Sequence, residues 1–133
     1  MQQKAGVQKT VYPILFTISF AHLLNDLMQS VIPAVYPIIK DKYDFSFTQI
    51  GVITFVFQLT ASILQPFVGA YTDKKPKPFS LALAMLFTSL GIIALSIASS
   101  FYFFLVAVAL FGLGSSVFHP EASRVAYLAS GGK

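Results

Sequence analysis

Four long apolar segments follow one another along the sequence, and short polar breaks separate them. A helix that crosses a lipid bilayer needs about 20 mainly apolar residues, and each segment reaches that length. The pattern therefore predicts an all-α membrane protein, a polytopic helical bundle with four transmembrane helices. We place these helices at residues 11–39, 45–72, 79–99 and 101–127.

The polar breaks are short and rich in charge, proline or serine. Residues 40–44 separate the first two helices with two lysines and two aspartates. In the second break, Pro76 and Pro78 prevent a continuous helix, because proline lacks a backbone N–H and restricts the residue before it. Ser99 and Ser100 form the third break. The hydrophilic residues 130–133 are interpreted as the start of a loop that leads to further helices.

The composition supports membrane residence. Hydrophobic residues make up 56% of the chain and charged residues 11%, whereas soluble domains carry about 25% charged residues. A chain of 133 residues cannot bury that much apolar surface inside one domain. Lipid can cover it, so a soluble bundle of buried helices is the weaker alternative. We expect a multi-pass protein of the cell (plasma or inner) membrane, with the lipid bilayer as a partner.

The basic residues predict an orientation. The net charge is +4, but the basic residues lie between apolar segments rather than on one face, so we exclude nucleic acid as a partner. Lys and Arg concentrate in cytoplasmic loops, next to the anionic inner leaflet. A cytoplasmic N-terminus leaves only Lys40 and Lys42 outside, so both termini are predicted to be cytoplasmic. The predicted inside set is Lys4, Lys9, Lys74, Lys75, Lys77, Arg124 and Lys133.

The first predicted helix carries one polar stripe. At about 100° per residue, its four polar side chains fall within about 100° of arc. An ionisable group at membrane depth costs about 2.5–3.5 kcal/mol on insertion scales, so a function is the first interpretation. We predict that the stripe faces a water-filled path, where Asp26 exchanges a proton that His22 can share. Polar packing between helices is the alternative. The stripe consists of His22, Asn25, Asp26 and Gln29.

The second and fourth predicted helices carry neutral polar faces. These faces can line a cavity or bond to neighbouring helices, and the sequence favours neither. Small residues on the fourth helix predict a close approach by another helix. Pro66 and Gly69 allow a bend near the cytoplasmic end of the second helix. The faces are Thr54, Gln58, Ser62 and Gln65 on the second helix and Gly112, Ser115, Ser116 and His119 on the fourth.

The segment after His119 places charge inside the fourth helix. Glu121 and Arg124 are three residues apart and can pair on one helix face, which is the form in which charge is tolerable at depth. A proton-linked or anion-binding site and a structural ion pair are both open. His119 and Glu121 are not a metal pair, because residues two apart on a helix point to different faces. We expect no metal, no cofactor and no enzymatic activity.

The loop after the second helix resembles a known signature. It contains Gly69, Asp73, Lys74 and Lys77, and it resembles the cytoplasmic signature loop of the major facilitator superfamily. Pro76 stands where that loop has a second glycine, and Pro78 replaces a basic residue. The resemblance implies that Gly69, Asp73, Lys74 and Lys77 form a cytoplasmic gating loop that latches the halves of the transporter.

Two further segments resemble the fosmidomycin-resistance exporter branch of that superfamily. They are residues 22–26 and residues 112–124. The resemblance implies a transporter of twelve helices, so residues 1–133 would supply helices one to four, a partial N-terminal transporter domain. It implies proton-coupled efflux of a small molecule such as a fosmidomycin-like phosphonate, with protons and the C-terminal helices as partners. The implied proton-coupling and substrate cavity comprises His22, Asn25, Asp26, Gln29, Gln58, Gln65, His119, Glu121 and Arg124.

Two other interpretations remain open at this level. One is an autonomous four-helix membrane subunit with a structural or interaction role. The other is an importer of the same fold, because substrate choice and direction depend on residues outside these four helices.

Overall fold

The computed structural model describes residues 9–75, 77 and 79–132, and it contains six α-helices in that part of the chain. They form four segments that are long and apolar enough to cross a membrane, which confirms the predicted bundle. The four spans are Tyr12–Tyr43, Phe47–Lys74, Ser80–Ile97 and Phe101–Ala129. The helices are α1 Tyr12–Ala34, α2 Tyr36–Tyr43, α3 Phe47–Ile63, α4 Gln65–Lys74, α5 Ser80–Ile97 and α6 Phe101–Ala129.

The first two spans are each interrupted once, close to proline. Val35 separates α1 from α2, and Leu64 separates α3 from α4. In both cases a proline occupies the first turn of the second helix, where its missing N–H is not needed. The second span is interrupted at Leu64, two residues before Pro66, close to where the sequence allowed a bend. The proline ring excludes the preceding helical hydrogen bond. Pro120 lies inside α6 without ending it.

The first break is shorter than predicted. Lys40, Asp41 and Lys42 belong to α2, whereas the sequence suggested a loop that begins at Lys40. Lysines in the last turn of a helix are favourable because that end carries partial negative charge. Asp44 ends the helix in a left-handed conformation, with φ of 54°. Ser46 then starts α3 by a reciprocal capping box with Gln49.

The fourth span, α6, is the central helix. Half of the residues in its most apolar stretch are buried, whereas the share is 11–22% in the other three spans. It packs against α1, α3, α4 and α5. The other spans turn large apolar side chains such as Phe16, Phe55 and Leu86 outward. Such an outer surface suits contact with lipid or with further transmembrane helices.

Glycines allow α6 to lie this close to its neighbours. A Cβ at Gly112 would collide with Thr60 on α3, and a Cβ at Gly114 would collide with Thr88 and with the backbone of Ala84 on α5. The close approach predicted from the small residues of α6 is therefore present.

The two ends of the described chain meet. The amide of Val11 donates to the carbonyl of Ala129 at 2.8 Å, and the Thr10 hydroxyl donates to the carbonyl of Ser130 at 3.1 Å. The start of the first span and the end of the fourth therefore lie on the same side of the bundle. Lys4 and Lys133, which contributed to the predicted orientation, lie outside the described residues.

Candidate functional site

Four polar side chains from α1 and α6 form one cluster, which we call the polar patch: His22, Asp26, Gln29 and His119. His22 and Asp26 lie one turn apart on α1, and His22 Nε2 is 3.5 Å from Asp26 Oδ2. Their side chains are 40% and 53% exposed, respectively. The predicted proximity of the imidazole and the carboxylate is therefore present, on a face that this chain leaves open.

The polar patch crosses from one helix to the other through Gln29 and His119. Gln29 Nε2 lies 3.1 Å from His119 Nε2, within hydrogen-bond distance. The imidazole rings of His22 and His119 meet edge to face, with centroids 5.1 Å apart. The ring of Phe118 on α6 also packs edge to face against the His22 ring, with centroids 5.6 Å apart. Two ionisable positions that are far apart in sequence thus share one small region.

Asn25 departs from the stripe predicted for α1. Its side chain is fully buried, and neither its amide nitrogen nor its amide oxygen has a hydrogen-bond partner in the described part of the chain. The Ser115 hydroxyl on α6 is buried and unpartnered in the same way. A buried polar group without a partner costs about 1–3 kcal/mol. The prediction that the whole stripe faces a water-filled path is therefore wrong for Asn25, because this residue lies at the buried edge of the arc.

A second cluster, the charge network, lies on another face of α6. Arg124 donates to Glu121 twice, from Nη2 to Oε2 at 2.9 Å and from Nε to Oε1 at 3.3 Å. The Ser80 hydroxyl, in the first turn of α5, donates to Oε2 at 2.7 Å. Asp73 lies near enough for its charge to act on the guanidinium. The predicted Glu–Arg pair is present, and Glu121 is only 1% exposed.

Ser80 was not among the residues selected from the sequence. Its position in the first helical turn after a charged loop was the available signal, because residues there meet charges at the same end of neighbouring helices. His119 and Glu121 do point to different faces of α6: His119 contacts α1, whereas Glu121 contacts α5.

The predicted gating loop begins at the end of α4. A Cβ on Gly69 would lie 3.6 Å from Cβ of Pro120, so α4 passes α6 at the proline of that helix. Asp73, Lys74 and Lys77 are exposed. Pro76 and Pro78, the two departures from the signature, lie outside the described residues.

The glutamines of the second span are apart from the polar patch. Gln58 is exposed and Gln65 is partly exposed, and among the described residues neither forms a hydrogen bond with the patch. The Thr54 hydroxyl instead lies 2.9 Å from the Tyr36 hydroxyl, and it links α3 to α2. Tyr36 was missed from the sequence because its neighbours are apolar.

The comparisons with known proteins decide the family. A family model described as "Major Facilitator Superfamily" matches residues 18–132, which is most of the chain.

The chain belongs to the Major Facilitator Superfamily.

The curated relatives agree with this membership. The chain is 54% identical over 125 residues to the "Fosmidomycin resistance protein" of Escherichia coli (strain K12), covering 94% of this chain and 31% of that protein. It is 49% identical over 131 residues to the "Uncharacterized MFS-type transporter YfnC" of Bacillus subtilis (strain 168), covering 98% and 32%. It is also 29% identical over 106 residues to the "Hexuronate transporter" of that Bacillus strain, covering 80% and 25%.

The resemblance to the fosmidomycin-resistance branch is thereby confirmed. The chain spans about a third of the length of the first two relatives. No solved structure matches the chain. Membership of this family and the four candidate spans are those of a multi-pass plasma-membrane protein.

Proposed function

We propose that the protein moves a small molecule across the plasma membrane by proton-coupled efflux, and that the polar patch carries the proton. The observation that supports this proposal best is the joining of His22, Asp26 and His119 at one point between the first and fourth spans. Ionisable groups at membrane depth are costly, and they mark ion or proton pathways in transporters. Three of them in one cluster favour such a pathway.

The open position of the polar patch supports its role in the proton step. About half of the Asp26 side chain is left uncovered by this chain, so the carboxylate can face a path between this chain and the further helices of the transporter. Gln29 and His22 provide neighbouring groups that can accept or donate as the carboxylate changes its protonation state. In transporters of this fold, substrate and coupling-ion sites lie near the bilayer midplane between helices of the structural repeats.

The charge network suits a different task. Glu121 is buried and bonded to Arg124 and Ser80, so a proton from water does not reach it without opening these contacts. We propose that Glu121 holds α5 against α6, and that Asp73 links the charge network to the gating loop. Arg124 is committed to Glu121 here, so it attracts an anionic substrate only when this pair opens.

Similarity to a named relative supports the proposed direction and substrate class. The relative with 54% identity is named for resistance to fosmidomycin, and resistance is consistent with export of a phosphonate antibiotic. We propose the same substrate class for this protein, working with the further helices that a full major facilitator transporter contains and with both ends of this chain in the cytoplasm.

The experiment reconstitutes the full-length protein in liposomes that hold a pH-sensitive dye, and it measures transport of radiolabelled fosmidomycin under an imposed pH gradient. Two results together support the proposal. Fosmidomycin moves against its own gradient, and the dye reports proton movement in the opposite direction. Transport that ignores the pH gradient would contradict proton coupling. Accumulation in the direction of proton flow would favour the importer interpretation.

A further inference from the structure

Three side chains with metal-binding atoms converge between α1 and α6. One ligand atom from each of His22, Asp26 and His119 lies within 4.8 Å of the other two. We propose that these three residues bind a single divalent transition-metal ion, of which Zn²⁺ is the representative, and that the ion bridges the first and fourth spans. No metal was expected from the sequence, because the three ligands come from two distant segments.

The distances are close to those that an ion requires. Zn²⁺ binds nitrogen and oxygen ligands at about 2.0–2.2 Å, so tetrahedral ligand atoms are about 3.4 Å apart. His22 Nε2 and Asp26 Oδ2 are already 3.5 Å apart. The remaining pairs need to close by about 1.4 Å at most from the 4.8 Å limit, which small rotations about side-chain bonds supply.

The two helices present the ligands in a suitable arrangement. His22 and Asp26 lie one helical turn apart on the same face of α1, a spacing that lets two side chains reach one ion. His119 reaches the same point from α6. The His22 ring packs against Phe118 as well as His119, and the nearby Ile18 and Phe118 belong to a buried cluster that joins the helices. The packing therefore limits the freedom of two of the three ligands.

The type of ligand selects the class of ion. Two imidazoles and one carboxylate suit Zn²⁺, Co²⁺, Ni²⁺ or Cu²⁺, whereas Mg²⁺ and Ca²⁺ prefer ligand sets made of oxygen. Three protein ligands leave a fourth position for water. Gln29 lies within hydrogen-bond distance of His119 Nε2, so an ion that takes this nitrogen replaces that contact and leaves the Gln29 amide beside the metal.

This chain leaves the cluster uncovered on one side, because the His22 and Asp26 side chains are 40% and 53% exposed. The inference does not rest on the proposed proton coupling. It concerns binding at equilibrium, which is measured without any transport.

The test titrates Co²⁺ into the purified, tag-free, full-length protein after chelator treatment, and it follows the visible absorption bands that report coordination geometry. We expect one saturable site with bands of a four- or five-coordinate ion, and Zn²⁺ should abolish them by competition. His22→Ala, Asp26→Asn and His119→Ala should each weaken binding by at least about tenfold. The control is Asp41→Asn, which changes an exposed carboxylate on α2 and should leave the titration unchanged.

The outcomes separate cleanly. Size-exclusion profiles establish that each variant is folded. His22→Gln and His119→Gln replace the corresponding alanine variants where an alanine variant does not fold. Absence of the bands in the unaltered protein, or binding that survives His22→Ala and His22→Gln, would overturn the inference. If Asp26→Asn abolishes transport while Co²⁺ binding is retained, the metal site fails and the transport proposal stands. If Co²⁺ binding depends on all three residues while transport does not respond to the pH gradient, the metal site stands and the proposal of proton coupling fails.

Discussion

Glu121 and Arg124 form a two-point ion pair on one face of α6, with donor–acceptor distances of 2.9 and 3.3 Å, and Glu121 is almost completely buried. A third hydrogen bond, from Ser80, ties the carboxylate to the start of α5. Both oxygens of Glu121 are therefore satisfied, which is the condition under which a buried charge is tolerated. Through Ser80, the pair connects α6 to α5 next to the loop that carries the family signature.

Removing one partner of this pair should destabilise the protein. Arg124→Gln leaves the buried Glu121 carboxylate without its counter-ion, and we expect a loss of about 3 kcal/mol in the free energy of unfolding. The measurement is thermal or denaturant unfolding of the full-length protein in detergent, with Lys77→Gln as the exposed control. The double variant Glu121→Gln/Arg124→Gln should lose less than the sum of the single variants. Strict additivity of the two losses would show that the pair is not coupled.

Gly114 should not tolerate even one added methyl group. A Cβ there would collide with the backbone of Thr88 and Ala84, which cannot rotate away. We expect Gly114→Ala to cost about 1–3 kcal/mol, the usual range for overpacking. The matched control is Gly51→Ala in α3, where a Cβ meets nothing within 4 Å and helix propensity alone should stabilise by up to about 1 kcal/mol. Equal melting temperatures for the two variants would contradict the close α5–α6 contact.

Asn25 should be replaceable by an apolar residue of similar size without loss of stability. Both polar atoms of its buried amide lack partners among the described residues, so the folded state carries their desolvation cost. We expect Asn25→Leu to raise the free energy of unfolding by about 1 kcal/mol. A clear fall in the melting temperature would mean that the amide has a partner in the folded protein. A separate transport assay on the same variant shows whether the polar amide is kept for function.

The predicted orientation is testable by labelling, because the chain contains no cysteine. In a background where any cysteine elsewhere in the protein has been replaced, Asp41→Cys and Lys77→Cys each provide one reactive thiol on an exposed position. In intact cells, a membrane-impermeant maleimide should label the Asp41 variant and not the Lys77 variant. Permeabilised cells should label both. The opposite pattern in intact cells would place the ends of this chain outside.

The sequence was sufficient for the four spans because membrane-spanning helices are long, apolar and separated by polar residues. The break at Leu64 was also predictable, because Pro66 lies two residues after it and disfavours a continuous helix. The helical state of Lys40–Lys42 was not predictable from the sequence. Charged residues between two apolar segments are equally compatible with a loop and with the last turn of a helix. Local interactions decide between these states, and the left-handed Asp44 that ends the helix is one of them.

Within the candidate site, contacts along one helix were predictable and contacts between helices were not. The pairs His22–Asp26 and Glu121–Arg124 follow from their spacing, and both are present. The Gln29–His119 contact depends on how α1 lies against α6. The burial of Asn25 depends on the same packing, because a one-residue rotation around the helix separates the open face from the buried one.

The central proposal is that the polar patch between the first and fourth spans couples transport to protons, and Asp26→Asn tests it most directly. The measurement is uptake of radiolabelled fosmidomycin into inverted membrane vesicles that contain the full-length protein, with and without a pH gradient, and Asp41→Asn serves as the matched control. We predict that Asp41→Asn keeps gradient-driven transport, while Asp26→Asn loses it and retains exchange of substrate at equilibrium. Unchanged gradient-driven transport by Asp26→Asn would contradict proton coupling by the polar patch.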